Sequence, residues 1–435
     1  MSITTILSIL LALIFFVAGV AKVFGMDSLK KEFKHWNLPP WMMYLTGVLE
    51  ILAGVMLCFS STLYFGAILG SFVMLGATVM LWVSDKNQRS LLPLSLLLVC
   101  GFLIWQSVPG TGLTWMVLGL VGSLLLISFL LWYYRPTPLN QHGDTEKITE
   151  NCTVTHGFQE ALGVRYHYVS AGDKQNPAVV MIHGFPESWY CFYPQIAALS
   201  EKYHVIALDL KPYGQTAKDL DGNHSFAHIA EEIKALLDQI GVRKFHLISH
   251  DRGTIAADNL LTKTGMQARV MSYIRMQQSF NEPHGKPEPP HKLMGSFWGT
   301  LVFRMRFSMW WVYTKSAYTK LAISKQVVKR IEKEFKFKHT ALAVPLSFKT
   351  TSFAKELKDR QEFIFEYMTM PTLILQGRFD PGQHPEEYAQ AHSIIPNAQV
   401  KFVEAGHFFH VEAPAETSKI FIEFIGQNDL ERLTA

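Results

Sequence analysis

Just past its midpoint the chain reads Phe245-His246-Leu247-Ile248-Ser249-His250-Asp251-Arg252-Gly253. The apolar residues at its start predict a buried strand, and residues 254–261 after it have the composition of a helix. A sharp strand-to-helix turn with a small residue two positions after its apex exposes the apex side chain at the edge of a sheet. The stretch therefore predicts an accessible carboxylate, Asp251, at the apex.

Asp251 is the favoured nucleophile of this turn, although two alternatives stay open on the motif alone. Ser249 is one, but it occupies a position that usually holds only a small residue. An ordinary aspartate at the end of a strand is the other. The flanking strand and helix favour Asp251.

Three further features follow predicted strands in a characteristic order. His183-Gly184-Phe185 comes after an early strand, where a turn that binds an oxyanion belongs, and Asp380 and His407 come after two later ones. Nucleophile, acid and histidine in this chain order are typical of the α/β-hydrolase fold. We therefore expect Asp251, Asp380 and His407 to be catalytic.

Short β-rich runs alternate with helical runs, such as Ile229–Gly241, through the second part of the chain. Such alternation predicts a mostly parallel sheet covered by helices on both faces. The predicted strands are Val164–Val169, Ala178–Ile182, His204–Leu208, Phe245–Ile248, Val270–Ile274, Thr372–Leu375 and Val400–Val403.

The first third of the chain is nearly devoid of charge and contains long apolar runs. A helix needs roughly 20 apolar residues to cross a bilayer, and most of these runs supply them. We predict a membrane domain over residues 1–135 with about five spanning helices. A cleaved signal peptide is the alternative for the first run, but no basic segment precedes that run. The runs are Thr5–Lys22, Trp41–Ser60, Leu63–Val83, Leu91–Trp105 and Leu113–Tyr134.

Basic residues occur in alternate connections of this region. Lys30, Lys31 and Lys34 lie in the first connection and Lys86 and Arg89 in the third, whereas the second and fourth have none. The positive-inside rule then places the N-terminus outside and the following domain in the cytoplasm. We expect an integral protein of an inner or plasma membrane.

Glu50 lies within the second apolar run. A carboxyl group at that depth is costly and by default indicates function. Lys22, near the end of the first run, is a candidate partner. A structural ion pair and a functional intramembrane site are equally open.

The segments Ala18–Lys22 and Gly47–Gly54 resemble DoxX-like membrane proteins, over roughly the first 110 residues. That family usually has four spanning helices, so the fifth run would be an addition. The resemblance implies little about chemistry.

The segments His183–Tyr190 and Tyr203–Gly214, with the turn at Asp251, resemble soluble epoxide hydrolases. The similarity is weak over about 283–366, where that family inserts a helical cap. We therefore expect a multi-pass transmembrane α-helical bundle, a linker over 136–152, and an α/β-hydrolase domain over 153–430 with a mostly parallel sheet and a cap.

The resemblance implies the aspartate-nucleophile chemistry of that family. A carboxylate attacks an electrophilic carbon without a base and forms a covalent ester. His407, oriented by Asp380, would activate water to hydrolyse the ester, and the N–H groups of Phe185 and Arg252 would hold the oxyanion. We expect the substrate pocket to include His183, Pro186 and Trp189.

Ring opening also needs an acid, which the resemblance assigns to two cap tyrosines. Tyr313 and Tyr318 are candidates for the first. Pro345–Lys349 resembles the family's Pro-Leu-Asn-Trp-Tyr, so Lys349 replaces the second tyrosine. Either one tyrosine suffices, a lysine donates the proton, or the substrate is not an epoxide.

We expect hydrolysis of a small apolar epoxide to a vicinal diol, with dehalogenation as the nearest alternative. Haloalkane dehalogenases bind the halide through an asparagine and a tryptophan, where this chain has Phe185 and Arg252. Fluoroacetate dehalogenases carry a second arginine where this chain has Ile255. A non-catalytic hydrolase module, or a redox or transport role of the DoxX-like part, is the remaining alternative.

Metal, cofactor and nucleic-acid binding find no support in the sequence. The four cysteines show no metal-ligand or disulfide spacing, and His410, beside Glu404 and Glu412, matches no ligand motif. The basic, aromatic cap lacks a nucleic-acid recognition motif, so it indicates either a solvated face or contact with anionic lipid. The sequence does not indicate the oligomeric state.

Overall fold

The computed structural model describes residues 2–36, 38–84, 87–107, 136–278, 293–304, 306–350, 367–382, 385–388, 391, 395 and 397–433. The chain divides into two units. The first comprises residues 1–136 with 296–304, and the second comprises residues 137–295 with 305–435.

The described part of the first unit is helical. The segments Ile3–Val23, Pro40–Leu57, Leu63–Trp82 and Gln88–Ser107 are long and apolar enough to cross a membrane. Large apolar side chains such as Leu13 lie exposed on them, which indicates a surface covered by lipid rather than water. The predicted fifth run, 113–134, lies outside the described residues. The helices are α1 (Ile3–Val23), α2 (Asp27–His35), α3 (Pro40–Leu57), α4 (Leu63–Val83) and α5 (Leu91–Ser107).

Helices α1 and α3 approach closely because glycines face each other. A Cβ atom on Gly19 would lie 2.6 Å from the carbonyl oxygen of Gly47. One turn further along α1, Nζ of Lys22 lies 2.8 and 2.6 Å from the two carboxylate oxygens of Glu50. The structure thus shows the ion pair between these helices, in which the half-buried Lys22 ammonium compensates the charge of the buried Glu50 carboxylate.

The second unit is built on one sheet, and nine strands form it within the described residues, in the order β1-β2-β3-β5-β4-β6-β7-β8-β9. Strands β5, β4, β6, β7, β8 and β9 pair in parallel, and β1, β2 and β3 extend one edge antiparallel. The predicted mostly parallel sheet is confirmed. The strands are β1 (Thr145–Lys147), β2 (Thr153–Ala161), β3 (Val164–Ala171), β4 (Ala178–Ile182), β5 (His204–Leu208), β6 (Phe245–His250), β7 (Val270–Met276), β8 (Thr372–Gly377) and β9 (Ala398–Val403).

The antiparallel edge was not predicted. Strand β1 lies within the expected linker. Strand β2 contains polar residues and a central Gly157, a composition that is typical of a loop. In the structure Gly157 makes room for a neighbour, since a Cβ there would lie 2.3 Å from the ring of Tyr168 on β3.

Helices flank the sheet and form the described part of the cap. The pattern predicted over Ile229–Gly241 corresponds to a helix whose apolar side faces the core, including the buried Ile233 and Leu237. Helix α9 (Phe297–Arg304) groups with the first unit. The helices are α6 (Tyr193–Leu199), α7 (Phe226–Gln239), α8 (Arg252–Lys263), α9 (Phe297–Arg304), α10 (Arg306–Thr314), α11 (Lys325–Glu334), α12 (Thr340–Thr350), α13 (Phe409–Glu412) and α14 (Pro414–Leu433).

The topology gathers the predicted site residues. Strands β4, β6, β8 and β9 run in the same direction, so the segments after them emerge along one edge of the sheet. Those segments carry Phe185, Asp251, Asp380 and His407.

Candidate active site

Asp251 occupies a sharp turn between β6 and α8. Its φ of +46° lies in the left-handed region, which is strained for a residue with a side chain. Two glycines permit the turn, because a Cβ on Gly253 would lie 2.3 Å from the carbonyl oxygen of His183, and a Cβ on Gly184 would lie 2.5 Å from Cβ of Asp251. Asp251 therefore has a strained backbone, and its side chain lies against the turn after β4.

Both carboxylate oxygens of Asp251 accept hydrogen bonds. The backbone N–H of Phe185 donates to Oδ2 at 2.9 Å, and the side-chain amide of Gln278 lies 3.4 Å from Oδ1. The guanidinium of Arg252 stacks 4.1 Å from the ring of Phe348 and 5.0 Å from that of Phe226. Backbone and aromatic contacts thus hold the turn at Asp251 in place.

His407 pairs with Asp380. Nδ1 of His407 lies 2.7 Å from Oδ2 of Asp380, and the backbone N–H of His407 donates to the carbonyl of Tyr318 at 2.7 Å. Burial by itself would lower the pKa of His407, but the negative charges of Asp380 and then Asp251 outweigh it and raise the pKa to about 9. The pKa of His407 therefore depends on the charge of Asp251.

A buried carboxylate with two histidines lies behind these residues, and sequence reasoning missed it. Glu187 accepts from Nδ1 of His250 and from Nε2 of His410, each at 2.8 Å, and from the N–H of Gly184 at 3.0 Å. Burial would raise the pKa of Glu187, but the two histidines hold it well below its usual value. Nε2 of His250 lies 3.1 Å from the carbonyl oxygen of His407. The position of His250 directly before Asp251 was the available sequence signal.

Within the part of the chain that the structure describes, one group of three side chains has metal-ligand geometry: Glu187, Cys191 and His410. All three are buried, and the carboxylate already accepts three hydrogen bonds from its neighbours. Burial lowers the pKa of His410 to about 4. The group is accounted for as a hydrogen-bonded core cluster.

The three candidate acids occupy different environments. The hydroxyl of Tyr313 is buried and donates to the carbonyl of Pro186 at 3.2 Å. The ring of Tyr318 lies edge-on to His407, with centroids 5.8 Å apart. Lys349 is exposed, whereas Phe348 before it packs 5.0 Å from the ring of Phe185. Geometry thus places the two tyrosines beside the site and Lys349 at the surface.

Two of the three residues expected in the substrate pocket belong to the core. His183 is fully buried and uses both ring nitrogens, towards the carbonyl of Gly184 at 2.8 Å and the N–H of Leu210 at 3.0 Å. Trp189 is fully buried within the apolar core. The side chains of His183 and Trp189 both have an exposed fraction of zero. Pro186 adjoins Tyr313.

Comparisons with known proteins agree with this architecture. The alpha/beta hydrolase fold matches residues 177–296, and the DoxX-like family matches residues 6–103. Epoxide hydrolase 4 of Homo sapiens is 31% identical over 178 residues, which cover 39% of this chain and 47% of that protein. Epoxide hydrolase B of Mycobacterium tuberculosis (strain ATCC 25618 / H37Rv) is 24% identical over 354 residues, which cover 62% of this chain and 98% of that protein.

A solved structure has the same fold. Epoxide hydrolase CorEH without ligand superimposes with a TM-score of 0.53 at 20% identity, over 63% of this chain and 99% of that one. The match to the human relative spans about half of that protein's length. The chain thus joins an N-terminal DoxX-like membrane domain to an epoxide hydrolase-like α/β hydrolase.

Proposed function

We propose that the protein hydrolyses apolar epoxides to vicinal diols through a covalent ester on Asp251. The observation that carries the proposal is the pairing of this carboxylate with the N–H of Phe185 at 2.9 Å. A carboxylate held by a backbone donor on a strained turn, with a His407–Asp380 pair at 2.7 Å nearby, suits a two-step displacement. Relatives named as epoxide hydrolases support this reaction at the family level.

In the first step Oδ1 of Asp251 attacks a ring carbon. A carbon–oxygen bond forms, the ring carbon–oxygen bond breaks, and its electron pair moves to the former ring oxygen. That oxygen takes a proton from an acid, for which Tyr313 and Tyr318 are the candidates beside the site. The exposed position of Lys349 argues against a role for it in this step.

In the second step water attacks the carbonyl carbon of the ester. Neutral His407 accepts a proton of that water, and the oxyanion develops on Oδ2, beside the N–H of Phe185. The Cγ–Oδ1 bond then breaks, and Oδ1 leaves with the diol and takes the proton from His407. The oxygen of the water completes a new carboxyl group on Asp251, and the proton of that group restores the ring-opening acid. The Asp251 charge that helps raise the pKa of His407 to about 9 is absent from the ester. Ester formation therefore lowers the pKa of His407 and prepares it to act as a base.

Intact mass of the full-length His407→Gln variant tests the proposal. Without its base the enzyme should accumulate the ester after exposure to epoxides, and a His407→Gln/Asp251→Asn variant should not. A gain equal to the whole epoxide supports ring opening. A gain equal to a haloalkane or haloacid minus hydrogen halide would support the dehalogenase alternative, and no adduct with any compound in folded protein would contradict both.

We also propose that the DoxX-like helices hold the protein in an inner or plasma membrane with the hydrolase domain in the cytoplasm. Lysines and Arg89 in alternate connections support this orientation. Apolar epoxides partition into such a bilayer, so a membrane-held enzyme would meet a concentrated substrate.

A further inference from the structure

Two consecutive glutamines follow strand β7 and extend to different catalytic groups. Gln277 and Gln278 are both buried. The φ of Gln277 is +50°, in the left-handed region that residues with side chains rarely adopt. This backbone turn lets neighbouring side chains diverge, so that Gln278 reaches the nucleophile and Gln277 reaches the histidine loop.

Gln278 contacts the carboxylate oxygen that remains for attack. Oδ2 of Asp251 accepts the N–H of Phe185 at 2.9 Å, and the Gln278 amide lies 3.4 Å from Oδ1. Arg275 holds the Gln278 backbone, donating to its carbonyl at 2.6 Å, and is itself paired with Asp258 at 3.0 Å. The amide therefore approaches Oδ1 from a fixed support.

Gln277 contacts the segment that carries the base. Its side-chain amide lies 3.3 Å from the carbonyl oxygen of His407 and 3.5 Å from that of Gly406. Its backbone N–H donates to the side chain of Gln376 at 3.0 Å. The amide thus contacts the same carbonyl that lies 3.1 Å from Nε2 of His250, while the N–H of His407 donates to the carbonyl of Tyr318 at 2.7 Å.

We propose that these two glutamines are positioning residues that divide the reaction between them, an inference that rests on the proposed function. Gln278 directs Oδ1 of Asp251 for the alkylation step. Gln277 fixes the His407 backbone for the hydrolysis step. In the ester, Oδ1 carries the alkyl group and accepts a hydrogen bond only weakly, and water attack places the oxyanion on Oδ2, so the Gln278 amide acts chiefly in the first step. The Gln277 amide contacts only the segment of the base, which is needed in the second step.

The two steps respond differently to losing each amide. Methionine is nearly isosteric with glutamine but has no amide donor. Gln278→Met should slow alkylation on the order of tenfold, the scale of one modest hydrogen bond, while ester hydrolysis stays within about threefold. Gln277→Met should slow hydrolysis by a similar factor and leave alkylation nearly unchanged.

The experiment measures both rates by single-turnover mixing of the full-length protein with an epoxide, acid quench and intact mass. The rise of the adduct gives the alkylation rate and its decay gives the hydrolysis rate. Gln399→Met, an exposed glutamine on β9, is the matched control. If Gln277→Met fails to fold, Gln277→Asn replaces it, since asparagine tolerates a left-handed φ and its shorter amide cannot reach the carbonyl oxygen of His407.

Opposite step-specific defects support the division of roles. Equal slowing of both steps by each variant, or wild-type rates in both variants, would overturn it. A wild-type protein that forms no adduct would instead contradict the proposed function, so the two failures are distinguishable.

Discussion

At the scale of single residues, the proposed chemistry depends on charge compensation around Asp251 and His407. The pKa of His407 is raised to about 9 by Asp380 and Asp251 against the opposing effect of burial. Behind it, Glu187 bonds to His250 and His410 at 2.8 Å each. The Glu187 carboxylate therefore connects three segments, because it accepts hydrogen bonds from the N–H of Gly184 and from the rings of His250 and His410.

The raised pKa of His407 predicts that the ester accumulates at low pH and is hydrolysed faster at high pH. In the resting enzyme His407 is protonated below about 9, and in the ester its pKa is lower because the Asp251 charge is gone. The hydrolysis rate should therefore rise with pH, up to about tenfold per unit below that lower pKa. Single-turnover adduct decay between pH 6 and pH 9 measures it, and a decay rate that falls as pH rises would contradict the base role.

At the scale of elements, the turn between β6 and α8 depends on two close approaches. Gly253 fits beneath the carbonyl of His183, and Gly184 fits against Asp251. Both contacts involve backbone or Cβ atoms that cannot rotate away. The turn is therefore intolerant of even one added methyl group.

Gly253→Ala should reduce the alkylation rate by at least tenfold and lower the melting temperature, because its Cβ would lie 2.3 Å from a backbone oxygen. Gly426→Ala in α14 is the control, since a Cβ there meets nothing within 4 Å and alanine favours a helix by about 1 kcal/mol over glycine. Adduct formation and thermal unfolding measure both variants. Equal behaviour of the two would refute the steric account.

The helix pair α1–α3 depends on the ion pair of Lys22 with Glu50. Glu50→Gln leaves the half-buried Lys22 ammonium without its carboxylate, which should cost less than the roughly 3–5 kcal/mol of a fully buried pair. Lys22→Met/Glu50→Met removes both charges and should regain most of the loss. Thermal aggregation in detergent compares the variants, with Lys30→Met at an exposed pair as control. A single variant as stable as the wild type would mean that the pair is not structural.

At the scale of the whole molecule, the proposed orientation makes a prediction about native cysteines. Cys58 is exposed and Cys100, Cys152 and Cys191 are buried. Cys58 follows α3 in the connection expected outside, so a membrane-impermeant maleimide added to intact cells should label the wild type and not Cys58→Ser. Labelling of Cys58 only after lysis would reverse the orientation.

The described cap also carries an exposed aromatic pair suited to lipid. Trp310 and Trp311 on α10 are 46% and 52% exposed, and Lys315 follows them. Indole rings and lysines favour an anionic membrane surface. In proteoliposomes the wild type should turn over an apolar epoxide several-fold faster with anionic than with neutral lipid, and Trp310→Ser/Trp311→Ser should lose that difference. If the variant keeps the difference between anionic and neutral lipid, Trp310 and Trp311 do not mediate the contact with lipid.

The sequence by itself determined the membrane helices, the parallel sheet and the order of Asp251, Asp380 and His407. These features are legible because hydrophobic periodicity and strand–turn–helix spacing are local properties of the chain. The antiparallel edge could not be predicted from the sequence, since its stability comes from packing between strands, such as that of Gly157 against Tyr168.

The tertiary structure alone decided which side chains meet. Gln278 reaches Asp251 across 27 residues, and Glu187 reaches His410 across 223, and no motif in the sequence connects either pair. The tertiary structure also decided which way side chains point. On α12, Phe348 packs against Phe185, whereas the next residue, Lys349, is exposed. Neighbours in the chain thus acquire different roles, since the packing of a helix, not its sequence, sets which face meets the site.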